Sequence, residues 1–136
     1  MPFWYYLNME TLNKENQMTN HTLEPVVGMA ATKIVGTDRY PYTISSITGK
    51  KGNRTITLTR DDHTPDENHS YEYGGTQSYS YTTNPNGNEE YIQEKNWVRE
   101  NTYKLSWKNK STGRLRKATS GAICLGSRRY YQDPSF

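Results

Sequence analysis

Asp61, Asp62, His63, Asp66, Glu67 and His69 crowd into one short stretch. Carboxylates and imidazoles held together are the usual ligands of divalent ions. Their spacing matches neither an Asp-x-Asp-x-Asp-Gly loop nor His-Glu-x-x-His, so the expectation is a solvated acidic loop without metal. Cys124 is the only cysteine and sits between Ile123 and Leu125. A reactive thiol needs partial exposure and a nearby base or positive charge; these neighbours suit a small buried hydrophobe instead. The chain has no nucleophile elbow, Walker loop or dinucleotide fingerprint. The expectation is therefore a protein that is not an enzyme and needs no cofactor.

The stronger chemical signal is basic. Residues 101–136 hold eight Lys or Arg against one acid, Asp133, while the first hundred hold nine against thirteen. Tyr103, Trp107, Tyr130 and Tyr131 interleave with these cations. Cations pair with phosphates and flat rings stack on bases, so nucleic acid or a nucleotide is the partner this mixture suits. Lys104 and Lys108 fall on one face of a strand, as do Arg114 and Arg116, because strand side chains alternate. These four are expected to form one basic sheet surface, with Lys117, in the same hairpin, a further candidate contact. Arg128, Arg129 and Tyr131 form a second candidate, a stacking platform at the C-terminus. The plainer expectations are that the charges block edge pairing and that the tail closes the barrel.

The elements that must carry these residues read as β throughout. Of 136 residues only 32% are apolar, with twelve Tyr and abundant Thr. Tyr buries its ring and keeps its hydroxyl hydrogen-bonded, which suits a thin sheet or barrel. Strands are predicted at Met29–Val35, Tyr40–Ile47, Arg54–Arg60, Gln77–Thr83, Tyr91–Val98, Thr102–Lys108, Arg114–Ala118 and Ala122–Leu125. Ile56 and Leu58 should point inward, as should Tyr103, Leu105 and Trp107. Turns fall at Thr48–Asn53, Asn84–Asn88, Asn109–Gly113 and Thr119–Gly121. Asp61–Gly75 reads as a long loop. The sum is an all-β fold, a small SH3-like barrel elaborated by an extra hairpin, occupying 25–136 as one domain.

Residues 1–24 read as an irregular extension, loose or docked through the apolar run Phe3–Leu7. Met9 and Met18 read as alternative starts, which would make the aromatic opening an extension. No apolar run of about 18 residues exists, so no transmembrane helix is expected, and the opening residues lack a signal-peptide pattern.

Several segments together resemble a known group. These are Val27–Thr32, Asp38–Ile44, Asn84–Gly87 and above all Leu125–Phe136, with its Tyr130-Tyr131-x-Asp133-Pro134-x-Phe136 element. The chain from Pro25 onward is similar to small proteins of tailed bacteriophages and phage-rich environmental samples. It departs from them near Lys95–Trp107, where they carry a more basic hairpin. The resemblance implies an accessory protein in the cytoplasm of an infected bacterium, and carries no activity. Two functions are expected from it and the charge pattern: nucleic-acid or nucleotide binding, or inhibition of a host defence protein in the manner of an anti-CRISPR, with Trp4, Trp97 or Tyr131 as anchors. A strand edge would also serve a homo-oligomer.

Overall fold

The computed structural model describes residues 23–133. Six antiparallel strands close a barrel in the order β1 (Ala30–Val35), β2 (Asp38–Thr48), β3 (Thr55–Arg60), β6 (Glu89–Arg99), β7 (Thr102–Lys108) and β8 (Leu115–Leu125). Between β3 and β6 the chain makes an excursion, the hairpin β4 (Asp62–Pro65) and β5 (Tyr79–Thr82). The expected small all-β barrel with an extra hairpin is therefore what the chain forms. Among the described residues no helix is long and apolar enough to cross a membrane. Residues 1–22 of the expected extension, with its Phe3–Leu7 run, and Pro134–Phe136 lie outside the described residues.

Alternation builds the core. Ile56 and Leu58 of β3 pair with Ile92 and Glu90 of β6, and across β2 with Ile47 and Ile44. Tyr42, Ile44, Ile56, Leu58, Ile92, Tyr103 and Ile123 are fully buried. Each large aliphatic side chain so placed contributes about 1.5–3 kcal/mol. Burial pushes the Tyr42 phenol up to about 12.

Each end of the barrel is finished by charge. At one end Arg54 reaches Glu94 through Nε and Nη2 at 3.0 and 2.6 Å, and Glu24 through Nη1 at 2.7 Å. At the other, Lys33 and Glu90 continue the inward rows and meet at 2.7 Å. Arg60 lies over the Tyr40 ring there, 4.5 Å from its centroid.

Three local expectations are corrected. Arg114–Ala118 and Ala122–Leu125 are one strand, not two. Thr119–Gly121 is a bulge, three extra residues of β8 opposite Leu105, where the register moves from Lys104↔Ala122 to Ser106↔Lys117. Gly121 holds φ +86°, and a Cβ there would collide with Leu105 Cδ1, so the turn-like signal is real but the chain keeps its direction. Secondly, the loop 61–75 contains β4, which gains its partners from β5. Thirdly, Trp107 is 52% exposed rather than core. Past the bulge β8 no longer pairs with β1, whose register ends at Ile34↔Ala122. Trp107 follows Leu105 on the inward row but lies beyond the closed wall.

Candidate nucleic-acid interface

The ribbon of β7 and β8 beyond Ser106 is built locally. Asn109 closes its turn: its N–H donates to the Arg114 carbonyl, and its Oδ1 accepts from the N–H groups of Ser111 and Thr112. The register then pairs Ser106 with Lys117, Trp107 with Arg116 and Lys108 with Leu115. Residues paired across strands share a face. Arg116 therefore lies beside Trp107, its guanidinium 4.8 Å from the ring centroid. Lys108 lies on the other face, over Tyr91 at 4.9 Å. Lys104 and Lys117 belong with Lys108, and Arg114 with Arg116.

The single surface expected for Lys104, Lys108, Arg114 and Arg116 is thus divided. The four sit on one ribbon, but on two sides of it, with Trp107 on the arginine side. Strand alternation within each strand was read correctly; the cross-strand register set which pairs share a side. Tyr91 was overlooked. Its signal was its place in an alternating run whose outer residues include an aromatic.

Two clefts flank Trp107. One, of about 410 Å³, is lined by Trp107, Arg116, Lys117, Ala118 and Thr119. The other, of about 490 Å³, takes in Tyr91 and Lys108 but also Glu89 and Glu90. Lys104, Lys108, Lys110, Arg114, Arg116 and Lys117 make no ion pair among the described residues. Lys33, Lys51, Arg54 and Arg128 are each paired with a carboxylate.

The tail residues lie elsewhere. Arg39 and Tyr131 exchange both backbone hydrogen bonds, at 2.7 and 2.9 Å, along the edge of β2. Strand β2 is three strands from β7 in either direction round the barrel. Arg128, Arg129 and Tyr131 are therefore across the molecule from the ribbon. Arg128 Nε sits 3.4 Å from Asp61 Oδ2, while Arg129 lies over Tyr131 at 5.3 Å. Tyr130 packs under the extra hairpin: its ring stacks on His63 at 3.6 Å, and its N–H donates to the Tyr81 hydroxyl. Burial holds His63 below the usual imidazole value.

The acidic stretch does structural work. Asp61 is buried, with Oδ1 accepting from the Thr43 hydroxyl at 2.7 Å and Oδ2 lacking a hydrogen bond. Burial pushes its carboxyl up, against the pull of Thr43 and Arg128. Asp66 accepts from Asn68 N–H and the Ser78 hydroxyl, and His69 Nδ1 accepts from Ser78 N–H. Among the described residues no group of three or more His, Cys, Asp or Glu could hold a metal ion. Cys124 is a half-buried free thiol opposite Thr32 and Thr102.

No protein-family model, curated protein or solved structure matches the chain.

Proposed function

We propose that the protein is a non-catalytic binding protein that holds nucleic acid or a nucleotide on the β7–β8 ribbon. The observation that carries this reading is the contrast between the ribbon and the rest of the molecule. Six cations crowd onto the ribbon, none in an ion pair among the described residues, and Arg116 lies against a half-exposed tryptophan; elsewhere Lys33, Lys51, Arg54 and Arg128 are held by carboxylates. Unpaired surface cations are free to replace the counterions of phosphates, and an open indole offers a stacking face. The resemblance to tailed-phage proteins supplies the setting, an infected bacterial cytoplasm. Binding should fall steeply with salt. Reversing Arg116 and Lys117 to Glu should weaken it at least about tenfold and flatten the salt slope by about two counterions. Undetectable binding of DNA, RNA and nucleotides at low salt would rule the reading out.

A second reading, inhibition of a host defence protein by direct contact, is favoured by one feature. Trp97 and Val98 are 50% and 42% exposed at the opposite end of β6 from the ribbon. Capture of a host protein from nuclease-treated lysate, lost in Trp97→Ala but kept in the Arg116/Lys117 double variant, would select this reading.

A further inference from the structure

Resting on the nucleic-acid reading, we infer that the ligand is single-stranded, with an unpaired base on Trp107 and its phosphates along β8, at Arg116 on the indole's side and Lys117 at the edge.

The argument starts from the unequal clefts beside the indole. The wall shared with β8 runs from Arg116 through Lys117, whose side chain belongs to the opposite face, to the small residues Ala118 and Thr119, with no carboxylate. The wall shared with β6 brings Glu89 and Glu90 next to Tyr91 and Lys108. Glu90 is occupied by Lys33. Glu89 is exposed, its nearest partner the Tyr91 hydroxyl at 3.4 Å. A run of phosphates is welcome on the first side and repelled from the second. A carboxylate does, however, accept from the amino edge of a base. The charges therefore orient a strand: backbone along β8, bases turned across Trp107 toward β6.

A duplex cannot use this arrangement. Its bases are stacked on each other and present no free face to an indole. Its phosphates run along both flanks of each groove, so one row would meet Glu89. A single strand has neither difficulty. The outer edge of β8 from Leu115 to Gly121 pairs with no described strand, so nothing in the described fold blocks the path. Arg116 fixes the ring from its own side, at 4.8 Å from the centroid.

The test uses the full chain and labelled oligonucleotides of about 12 nucleotides, single-stranded and as the matching duplex, at about 50 mM salt. The single strand should bind at least about tenfold more tightly than the duplex, and Trp107→Leu should remove about that factor for the single strand only. Glu89→Lys should raise duplex affinity. In a Trp4→Phe, Trp97→Phe background, emission from Trp107 should be quenched by the single strand and not by the duplex, which needs no disruptive variant. Equal affinity for both forms, or quenching by both, overturns the inference while leaving the proposed function in place if Arg116 and Lys117 still govern binding. No binding of either form overturns both.

Discussion

Glu94 is the carboxylate whose removal the structure prices most directly. Its Oε1 accepts from Gly52 N–H at 2.7 Å and from Arg54 Nε at 3.0 Å, and Oε2 takes Arg54 Nη2 at 2.6 Å. Both side chains are largely covered, 12% exposed for Arg54 and 15% for Glu94. Hydrogen bonding to Arg54 brings the Glu94 carboxyl from an ordinary 4.5 down to about 2. At about 1.4 kcal/mol per pH unit, that is roughly 3 kcal/mol in favour of the fold, trimmed to about 2–3 by residual solvent. Glu94→Gln keeps an acceptor for Gly52 and loses the charge; Glu24 still holds Arg54. The expected loss is therefore about 2–3 kcal/mol at pH 7 in urea unfolding. Because the folded value is depressed, the contribution is complete above pH 4.5 and is lost as pH falls toward 2. More than roughly half should be gone by pH 3. A difference between wild type and Glu94→Gln that stays constant from pH 7 to pH 3, or never exceeds about 0.5 kcal/mol, would refute the reasoning.

Other perturbations follow from single positions. Gly121→Ala puts a methyl at φ +86° and 2.6 Å from Leu105 Cδ1, so denaturation should show a loss of about 2 kcal/mol, against little change for Gly113→Ala beyond the cost of its own φ. Asp61→Asn should raise the melting temperature by a few degrees at pH 7. The raised carboxyl makes the charged form a burden that is present above its folded value and relieved as pH falls through it. His63 is held neutral by burial, so stability should decline as pH falls from about 6.5 through its lower folded value, and His63→Phe should flatten that slope in melts between pH 7 and pH 5. Arg116→Thr with Lys117→Thr should bare the β8 edge and produce concentration-dependent association in sedimentation.

What could be read from the sequence was what depends on near neighbours. Strand β3 alternates over six residues, and its inward pair, Ile56 and Leu58, is core because no other face of that strand is apolar. Strand β7 was bounded correctly at Thr102 and Lys108. Its last inward residue was misplaced, because Trp107's surroundings depend on where β8 leaves β1, a fact about segments far apart in the chain. The same limit applies to the site. Each ribbon cation was visible as a charge, but the side it faces follows from the Trp107↔Arg116 register, which three bulged residues set. Arg128 looked like a free cation; its partner Asp61 is brought to it only by the returning tail. Gly87, in the expected Asn84–Asn88 turn, does not hold a positive φ. It is instead required because any side chain would collide with the Arg60 carbonyl.

The proposed site stands where β7 and β8 run on past the closed wall of the barrel, and that has a physical logic. A closed barrel pairs its backbone all round and offers a ligand only its outer side chains. The bulge at Thr119–Gly121 frees the first half of β8 from β1 and leaves an edge that would recruit other strands. Cations on that edge prevent such pairing, and a merely protective role would end there. The two roles separate by the sign of charge. Glutamates at 116 and 117 block an edge as well as lysine and arginine do, so the reversed variant should remain monomeric at the concentrations where the threonine variant associates. It should nevertheless lose nucleic acid. If the glutamate variant both stays monomeric and binds oligonucleotides undiminished, the positive charge of β8 is edge protection alone, and phosphate recognition must be sought on another face.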